Sequence, residues 1–324
     1  MYFKTWHILV LLFIASSCAS TKQAEFNLQT AQSKFNSDSK FLHHKLEKPI
    51  PLHNLQIDTL FTKRFSFKSL NAANAIGVLN MLTDYMKADR DYHSNPTLEK
   101  RIERLELLQE INQKINVASL EISAIAGELD YEEERIDQVA QYLKGKEEAT
   151  ERTLIISSII VGASSAIAAE TISLTNSESS APAYIGIGSS IVEASLGVGM
   201  LVNKRKITFY HKQNPLKDIW EAPDTSNFYP ASIWYYLNYQ NPKDTVKSLR
   251  VQLAEKWIHF GQIASAKEKN RHAMYELFFG EGGKYSTGQL STRADMLDQV
   301  EANIKLMKQD LNILLIEIDN LNNK

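Results

Sequence analysis

Residues 297–321 read LDQVEANIKLMKQDLNILLIEIDNL, and the spacing of their apolar side chains decides the fold class. The apolar positions recur at alternating steps of three and four residues for more than three heptads. They are Leu297, Val300, Ile304, Met307, Leu311, Leu314, Ile318 and Leu321. This is the a/d pattern of helices that pack as coiled coils. The stretch therefore predicts a long C-terminal helix that buries one face against a partner helix.

A second long helix is predicted in the first half of the chain, beginning at Leu98. Its apolar positions also recur every three or four residues. They are Ile102, Leu105, Leu108, Ile111, Ile115, Ala118, Ile122, Ile125, Leu129, Ile136, Val139 and Leu143. A helix of about 50 residues is roughly 75 Å long and cannot form a core alone, so it needs partner helices in this chain or in another.

Composition agrees with a helical protein and excludes several classes. The chain has 324 residues, of which 44% are hydrophobic and 23% charged, too polar for a protein with many membrane spans. Its 36 basic and 38 acidic side chains give a net charge of −2, so no overall field recruits nucleic acid. With 13 Gly and 8 Pro, turns are too few for a β-sandwich. We expect an all-α protein, an elongated helical bundle or coiled coil.

The N-terminus has the pattern of a signal peptide, predicted over residues 1–17. Lys4 is followed by an uninterrupted apolar run, residues 8–15, and by small residues before Cys18. The run is too short to span a membrane. Because Cys18 is the only cysteine, disulfides and multi-cysteine metal sites are excluded.

The residues Ala15-Ser16-Ser17-Cys18 resemble the lipobox of bacterial lipoproteins. The resemblance implies removal of the signal and lipid attachment at Cys18, with palmitate among the acyl chains. Ala19, which follows the cysteine, implies transfer to the outer membrane under the better-known sorting rule. A secretory signal with an incidental cysteine is the alternative.

The rest of the chain divides into five predicted segments. They are a lipid-anchored tether at 18–66, a long helical segment at 67–152, an apolar helical hairpin at 153–202, an irregular aromatic segment at 203–245, and a C-terminal helical hairpin of the bundle at 246–324. We expect the aromatic side chains of the fourth segment to pack against helix ends; a bilayer interface is the alternative.

The apolar hairpin is the most unusual feature of the sequence. Residues 153–169 carry no charge, and residues 183–202 carry only Glu193. Small residues are expected to let the two helices approach closely, as in membrane helix packing. The glycines concerned are Gly162, Gly186, Gly188, Gly197 and Gly199. Directly after the hairpin, Lys204, Arg205 and Lys206 stand where cations contact lipid head groups.

The short first run, the many serines and the central charge of Glu193 argue against simple membrane spanning. A charge at the centre of a membrane helix costs about 2.5 to 3.5 kcal/mol on insertion scales. We therefore expect the hairpin to be packed within the protein at rest, capping the bundle with Glu193 near its surface. Insertion into a bilayer under some condition is the second hypothesis.

No local motif predicts enzymatic chemistry. The glycines of residues 280–284 are similar to a phosphate loop, but Phe278 and Tyr285 stand where such a loop needs Gly and Ser or Thr. The acidic run Glu132-Glu133-Glu134 is expected to be a solvated helix face. We predict no catalytic site, no metal site and no cofactor; a hydrolase with dispersed residues is the least supported alternative.

Two families share features with this chain. The order of long helix, apolar hairpin and long helix over about residues 96–321 resembles the α-helical pore-forming toxins. Tyr285-Ser286-Thr287-Gly288 with Ser291 and Asp295-Met296-Leu297, and Asn95-Pro96-Thr97-Leu98, resemble motifs that open the long helices of TolC-like outer-membrane efflux proteins. That second resemblance implies a periplasmic duct or efflux-associated component.

The favoured function is that of a non-enzymatic envelope lipoprotein with a membrane-interacting hairpin, either pore-forming or a tethering scaffold. The expected partners are membrane lipid, through Cys18 and through residues 153–202, and a second copy or an envelope protein, through the heptad seams. No nucleic acid is expected.

Overall fold

The computed structural model describes residues 48–175, 179–202, 204–211, 213–263 and 268–322, and helices dominate this part of the chain. In chain order, after a 3-10 turn at Leu52–Asn54, the elements are α1 (Thr59–Arg64), α2 (Phe67–Ala75), α3 (Leu79–Ser94), α4 (Leu98–Thr175), α5 (Ala181–Val202), β1 (Lys206–Tyr210), α6 (Pro215–Glu221), α7 (Ala231–Asn238), α8 (Leu249–His259), α9 (Glu268–Phe279), β2 (Gly282–Ser286) and α10 (Thr287–Asn322). The expected elongated all-α bundle with an apolar helical hairpin is confirmed. The signal peptide, Cys18 and most of the tether lie outside the described residues.

The core of the bundle is the antiparallel pair of α4 and α10. All eight seam residues predicted on α10 are buried, and none is more than 9% exposed. They pack against a buried stripe on α4. This stripe consists of Ile111, Ile115, Ala118, Ile122, Ile125, Ala126, Leu129, Ile136, Val139, Ala140 and Leu143. The long seam that the sequence predicts is therefore satisfied within one chain.

Two hydrogen bonds fix how the paired helices align. Thr287, at the start of α10, donates from Oγ1 to Glu147 Oε2 over 3.1 Å, and Lys308 donates to Ser123 Oγ over 2.9 Å. With this alignment α10 ends before it reaches the first two turns of α4. Ile102 and Leu105, predicted to be part of the apolar stripe, consequently remain 46% and 45% exposed.

Aromatic side chains join the shorter helices to this pair. The structure places β1, α6 and α7 in the segment that the sequence predicts to be irregular. Tyr235 Oη accepts from the Leu52 backbone N–H and donates to Asn71 Oδ1, and Tyr236 donates to Asp310 Oδ2 over 2.7 Å. These buried tyrosines pack inside the bundle, with their hydroxyl groups satisfied.

Candidate functional site

The apolar hairpin extends beyond the α4–α10 pair. Helix α4 continues without a break from the bundle to Thr175, and α5 returns alongside its last part. Because α10 begins beside Glu147, it does not accompany α4 into the hairpin. Residues 153–202 therefore form a two-helix projection at one end of the bundle.

The large apolar side chains of this projection face outward. Each hairpin helix contains an 18-residue stretch long and apolar enough to cross a membrane, and none of either stretch is buried inside the protein. The large apolar residues between 41% and 79% exposed are Ile155, Ile156, Ile159, Ile160, Ile167, Leu174, Tyr184, Ile187, Ile191, Val192 and Val198. The expectation of a hairpin packed within the protein is therefore wrong, because no element of the described bundle reaches far enough to cover it.

The two hairpin helices meet through a mixture of small and aliphatic side chains. The half-buried residues that α4 contributes here are Leu154, Ser157, Ser158, Val161, Gly162, Ser165, Ala169 and Ile172. A β-carbon placed on Gly162 would stand 2.9 Å from Oε1 of Glu193, and one placed on Gly199 would stand 3.6 Å from Cδ1 of Leu154. These two glycines lie where the opposite helix contacts them, as the sequence predicts.

Three other glycines of the hairpin do not have this role within the chain. A β-carbon on Gly186, Gly188 or Gly197 would meet no other atom of the described residues within 4 Å. Gly186 and Gly188 are exposed and Gly197 is half-buried, and the close approach expected at these three positions is corrected. Glycine at these positions leaves shallow, open surface on α5.

Many hydroxyl groups of the hairpin form hydrogen bonds inside their own helices. Each of several serines and threonines donates to the carbonyl four residues earlier, over 2.7 to 2.9 Å. They are Thr153, Ser157, Ser165, Thr171, Thr175, Ser190 and Ser195. An internal bond of this kind removes much of the cost of placing a hydroxyl in an apolar medium. The serine content consequently weighs little against contact with lipid.

A polar clamp closes the base of the hairpin. The Arg205 backbone N–H donates to Glu147 Oε1 over 2.7 Å, and its guanidinium donates to Thr150 Oγ1 over 3.0 Å. The other carboxylate oxygen of Glu147 accepts from Thr287. Of the three cations predicted to meet head groups, Arg205 is thus half-buried and engaged, whereas Lys204 and Lys206 are exposed.

Below the base, β1 and β2 pair antiparallel, with Ile207 opposite Tyr285. The glycine-rich stretch 280–284 partly forms β2. Gly282 adopts φ +101°, and a β-carbon there would collide with the Phe209 carbonyl oxygen. Glycine is therefore required for the close approach of the two strands.

A buried polar cluster that the sequence does not reveal lies at the end of this sheet. His211 Nε2 and the Tyr285 hydroxyl are 2.8 Å apart, and Tyr285 donates to the Leu277 carbonyl. Arg293, fully buried, donates to the Phe278 carbonyl over 2.7 Å and to Asn214 Oδ1 over 3.0 Å. Burial, and then the nearby charges of Arg293 and Arg135, lower the pKa of His211 to about 2.

The histidine in this cluster is a neutral structural group. The Tyr285 hydroxyl donates its hydrogen bond to the Leu277 carbonyl, so it accepts a hydrogen bond from His211 Nε2–H. The other ring nitrogen of His211, Nδ1, then carries no hydrogen. Nδ1 has no hydrogen-bond partner in the described structure. Through Arg293 the cluster joins α10 to the Phe278 carbonyl and to Asn214.

The acidic run on α4 is not simply a solvated face. Glu132 pairs with Arg135 over 2.7 Å, whereas Glu133 faces α10. Burial, and then the carboxylates of Asp298, Asp137, Glu301 and Asp130, raise the pKa of Glu133 to about 7. Among the described residues, carboxylate oxygens of Asp130, Glu133 and Glu301 come within 4.8 Å of one another. Lys305 pairs with Glu301 over 2.5 Å and offsets part of this charge.

Comparison with protein families, with curated proteins and with solved structures finds no match for this chain. The functional argument consequently depends on the geometry of the hairpin and its base.

Proposed function

We propose that this protein is a non-enzymatic envelope lipoprotein that acts on a membrane through the hairpin of residues 153–202. The observation that carries the proposal is the outward display of large apolar side chains on both hairpin helices. Contiguous apolar surface beyond a few hundred Å² is rare on soluble proteins and marks a protein or membrane contact. A long pair of helices apolar on nearly all sides favours lipid over a single protein groove.

The dimensions of the hairpin support this choice. Residues 153–175 of α4 and the 22 residues of α5 are each about 33 to 35 Å long, and the hydrocarbon core of a bilayer is about 30 Å thick. A hairpin returns the chain to the side from which it entered. The bundle therefore stays on one side of the membrane, and the helix ends at Thr175 and Ala181 reach the other.

Long apolar helices also occur as core helices of soluble proteins and as signal sequences, and neither explanation fits this hairpin. A core helix of a soluble protein would be buried, whereas these stretches are not. A signal sequence lies near the N-terminus, whereas the hairpin lies in the middle of the chain. Two unfavourable groups, Glu170 and Glu193, lie on the described helices, and both are exposed; the Glu193 carboxylate stands next to Gly162 of the neighbouring helix.

Lipid attachment at Cys18 and an outer-membrane location complete the proposal and depend on the lipobox resemblance alone. Two signals, an acyl anchor and an inserted hairpin, would hold the protein stably at the envelope. Assembly of several copies would produce a pore, whereas a single inserted copy would serve as a tether.

A TolC-like duct is the second candidate, favoured by the start of α10 at Thr287 within the Tyr285–Gly288 motif. Because the heptad seam is already buried within the chain, a duct would need other surfaces for its ring.

Vesicle flotation with non-lipidated protein beginning at Ala19 tests the proposal. Ile159→Lys combined with Ile191→Lys places two charges on side chains that are 65% and 63% exposed, so the fold is retained. The matched control is Leu120→Lys, which is 71% exposed on the bundle. We expect the double variant to lose flotation and the control to keep it.

Equal flotation of the double variant and the control would exclude the hairpin as the membrane contact. Release of an entrapped dye separates the two forms of the proposal, since a pore leaks and a tether does not. Helix content measured by circular dichroism confirms that each variant is folded.

A further inference from the structure

The outer face of the two-stranded sheet is a cationic surface next to the hairpin. Side chains alternate along β1, so Phe209 points inward while Lys206, Thr208 and Tyr210 are exposed. On β2, Tyr285 points inward and Lys284 is exposed. The register places Lys284 opposite Thr208, and Ser286 opposite Lys206. Lys206 and Lys284 are therefore diagonal neighbours on one exposed face, which we call the lysine face.

The lysines of this face have no close ion-pair partner in the part of the chain that the structure describes. Neither strand contains an acidic residue. Among the described residues, Lys204, Lys206 and Lys284 form no ion pair within 4.0 Å, although eight such pairs occur elsewhere. Diagonal neighbours in a sheet lie about 7 to 8 Å apart, close enough for two ammonium groups to repel or to share one anion. An external anion would relieve this repulsion.

The position of the sheet relates this charge to the membrane. Lys206 follows the end of α5 after three residues, and the clamp between Glu147 and Arg205 fixes it at the hairpin base. From there β1 runs along α4 towards Arg135, whose guanidinium lies 4.5 Å from the centre of the Phe209 ring. When the hairpin spans the hydrocarbon core, the Lys206 end of the face lies at the level of the head groups.

We propose that the lysine face, together with Lys204, binds the head groups of anionic phospholipids and gives the hairpin a preference for anionic membranes. This inference rests on the proposed function and names the lipid class that it requires. Juxtamembrane lysines near an anionic surface each strengthen binding by about fivefold, and salt screens the effect. Arg205 is excluded from this role because its N–H and guanidinium already bind Glu147 and Thr150.

Flotation of the full non-lipidated chain, beginning at Ala19, on two kinds of vesicle tests the inference. One kind contains phosphatidylcholine alone, and the other contains one-third phosphatidylglycerol. For Lys206→Ala with Lys284→Ala we expect the ratio of anionic to neutral affinity to fall by about 25-fold, with binding to neutral vesicles unchanged. The control, Lys63→Ala with Lys68→Ala, removes the same charge from two exposed lysines on α1 and α2 and should keep the ratio.

Each outcome of this experiment decides one point. An unchanged ratio in the Lys206/Lys284 variant, or the same fall in the control, overturns the lysine face while leaving the hairpin proposal intact. Absence of wild-type binding to both kinds of vesicle overturns both. Displacement from anionic vesicles by inorganic phosphate at constant ionic strength would identify a site for free phosphate and also overturn the lipid assignment; we expect no displacement.

Discussion

Glu193 of α5 lies directly against Gly162 of α4, close enough that a β-carbon on Gly162 would stand 2.9 Å from the Glu193 Oε1 atom. The one charge within the second apolar run therefore lies beside a glycine of the opposite helix, where an added β-carbon would displace the end of the Glu193 side chain. Small residues at a helix contact let backbones and polar groups approach closely. Two features that seem unrelated in the sequence, a helix-breaking residue type and an unfavourable charge, thus form a single contact.

Gly162→Leu should loosen the middle of the hairpin, since the new side chain must displace the Glu193 carboxylate. We expect faster amide hydrogen exchange around residues 158–166 and 189–197. Gly186→Leu is the matched control, because its β-carbon meets open space. Identical exchange in the two variants would contradict the contact.

Glu193→Leu should strengthen binding to vesicles. Removing a charge from the centre of a membrane helix recovers about 2.5 to 3.5 kcal/mol on insertion scales, which corresponds to about a hundredfold in affinity. Titration of non-lipidated protein with vesicles measures the change. Glu170→Leu, nearer the end of α4, should have a smaller effect; equal effects would place Glu193 away from the membrane centre.

Glu147→Ala should destabilise the hairpin base. It leaves the Arg205 N–H and the Thr287 hydroxyl without their acceptor, for which we expect a loss of about 1 to 3 kcal/mol in the free energy of unfolding. Urea denaturation measures this loss. Glu148→Ala is the control, because Glu148 is exposed and its ion pair with Lys144 is long at 4.0 Å. This variant should lose less than about 0.5 kcal/mol in the free energy of unfolding.

His211 should make the protein less stable in acid. Its pKa is about 2 in the folded chain against 6.5 for an ordinary histidine, so the unfolded chain binds the proton more tightly. The stability that follows from neutral His211 is present above about pH 6.5 and is lost as the pH falls towards 2. Between pH 7 and pH 5 this amounts to about 2 kcal/mol.

His211→Phe should remove that part of the pH dependence, measured as the difference in unfolding free energy between pH 7 and pH 5. The exposed His272→Phe should leave the wild-type dependence unchanged. A wild-type slope in the His211 variant would mean that other groups cause it.

Glu133 should act in the opposite direction. Its raised pKa, about 7, means that the folded chain binds the proton more tightly than the unfolded chain does. The resulting stability is present below about pH 4.5 and is lost as the pH rises through 7. Glu133→Gln should therefore raise the unfolding temperature at pH 8 and have little effect at pH 4. The exposed neighbour Glu134→Gln should change neither, and a stabilisation at both pH values would exclude a titration effect.

The two long helices could be predicted because heptad spacing is visible within the sequence of each helix, whichever helix packs against it. The eight seam residues between Leu297 and Leu321 are buried, as the pattern requires. The hairpin could be located in the same way from its two apolar runs. Whether other helices cover the hairpin depends on where α10 begins. The sequence of residues 153–202 contains no information about that position.

The polar details of the base could not be predicted for a related reason. His211, Tyr285 and Arg293 come from widely separated positions and meet only when β1 pairs with β2. His211 and Arg293 belong to no motif, and the motif that contains Tyr285 does not indicate this contact. The sequence likewise predicts that Glu133 is solvated, because its neighbours on α10, among them Asp298, are far away in sequence.

The unbroken course of α4 from Leu98 to Thr175 makes the hairpin and the bundle parts of one stiff rod. About 80 Å of that rod lies on the bundle side of residue 153. If the hairpin tilts by 10° within a bilayer, the far end of the rod moves by roughly 14 Å, since the helix has no break that absorbs the rotation. Changes in membrane thickness alter the tilt of embedded helices and would therefore displace the opposite end of α4.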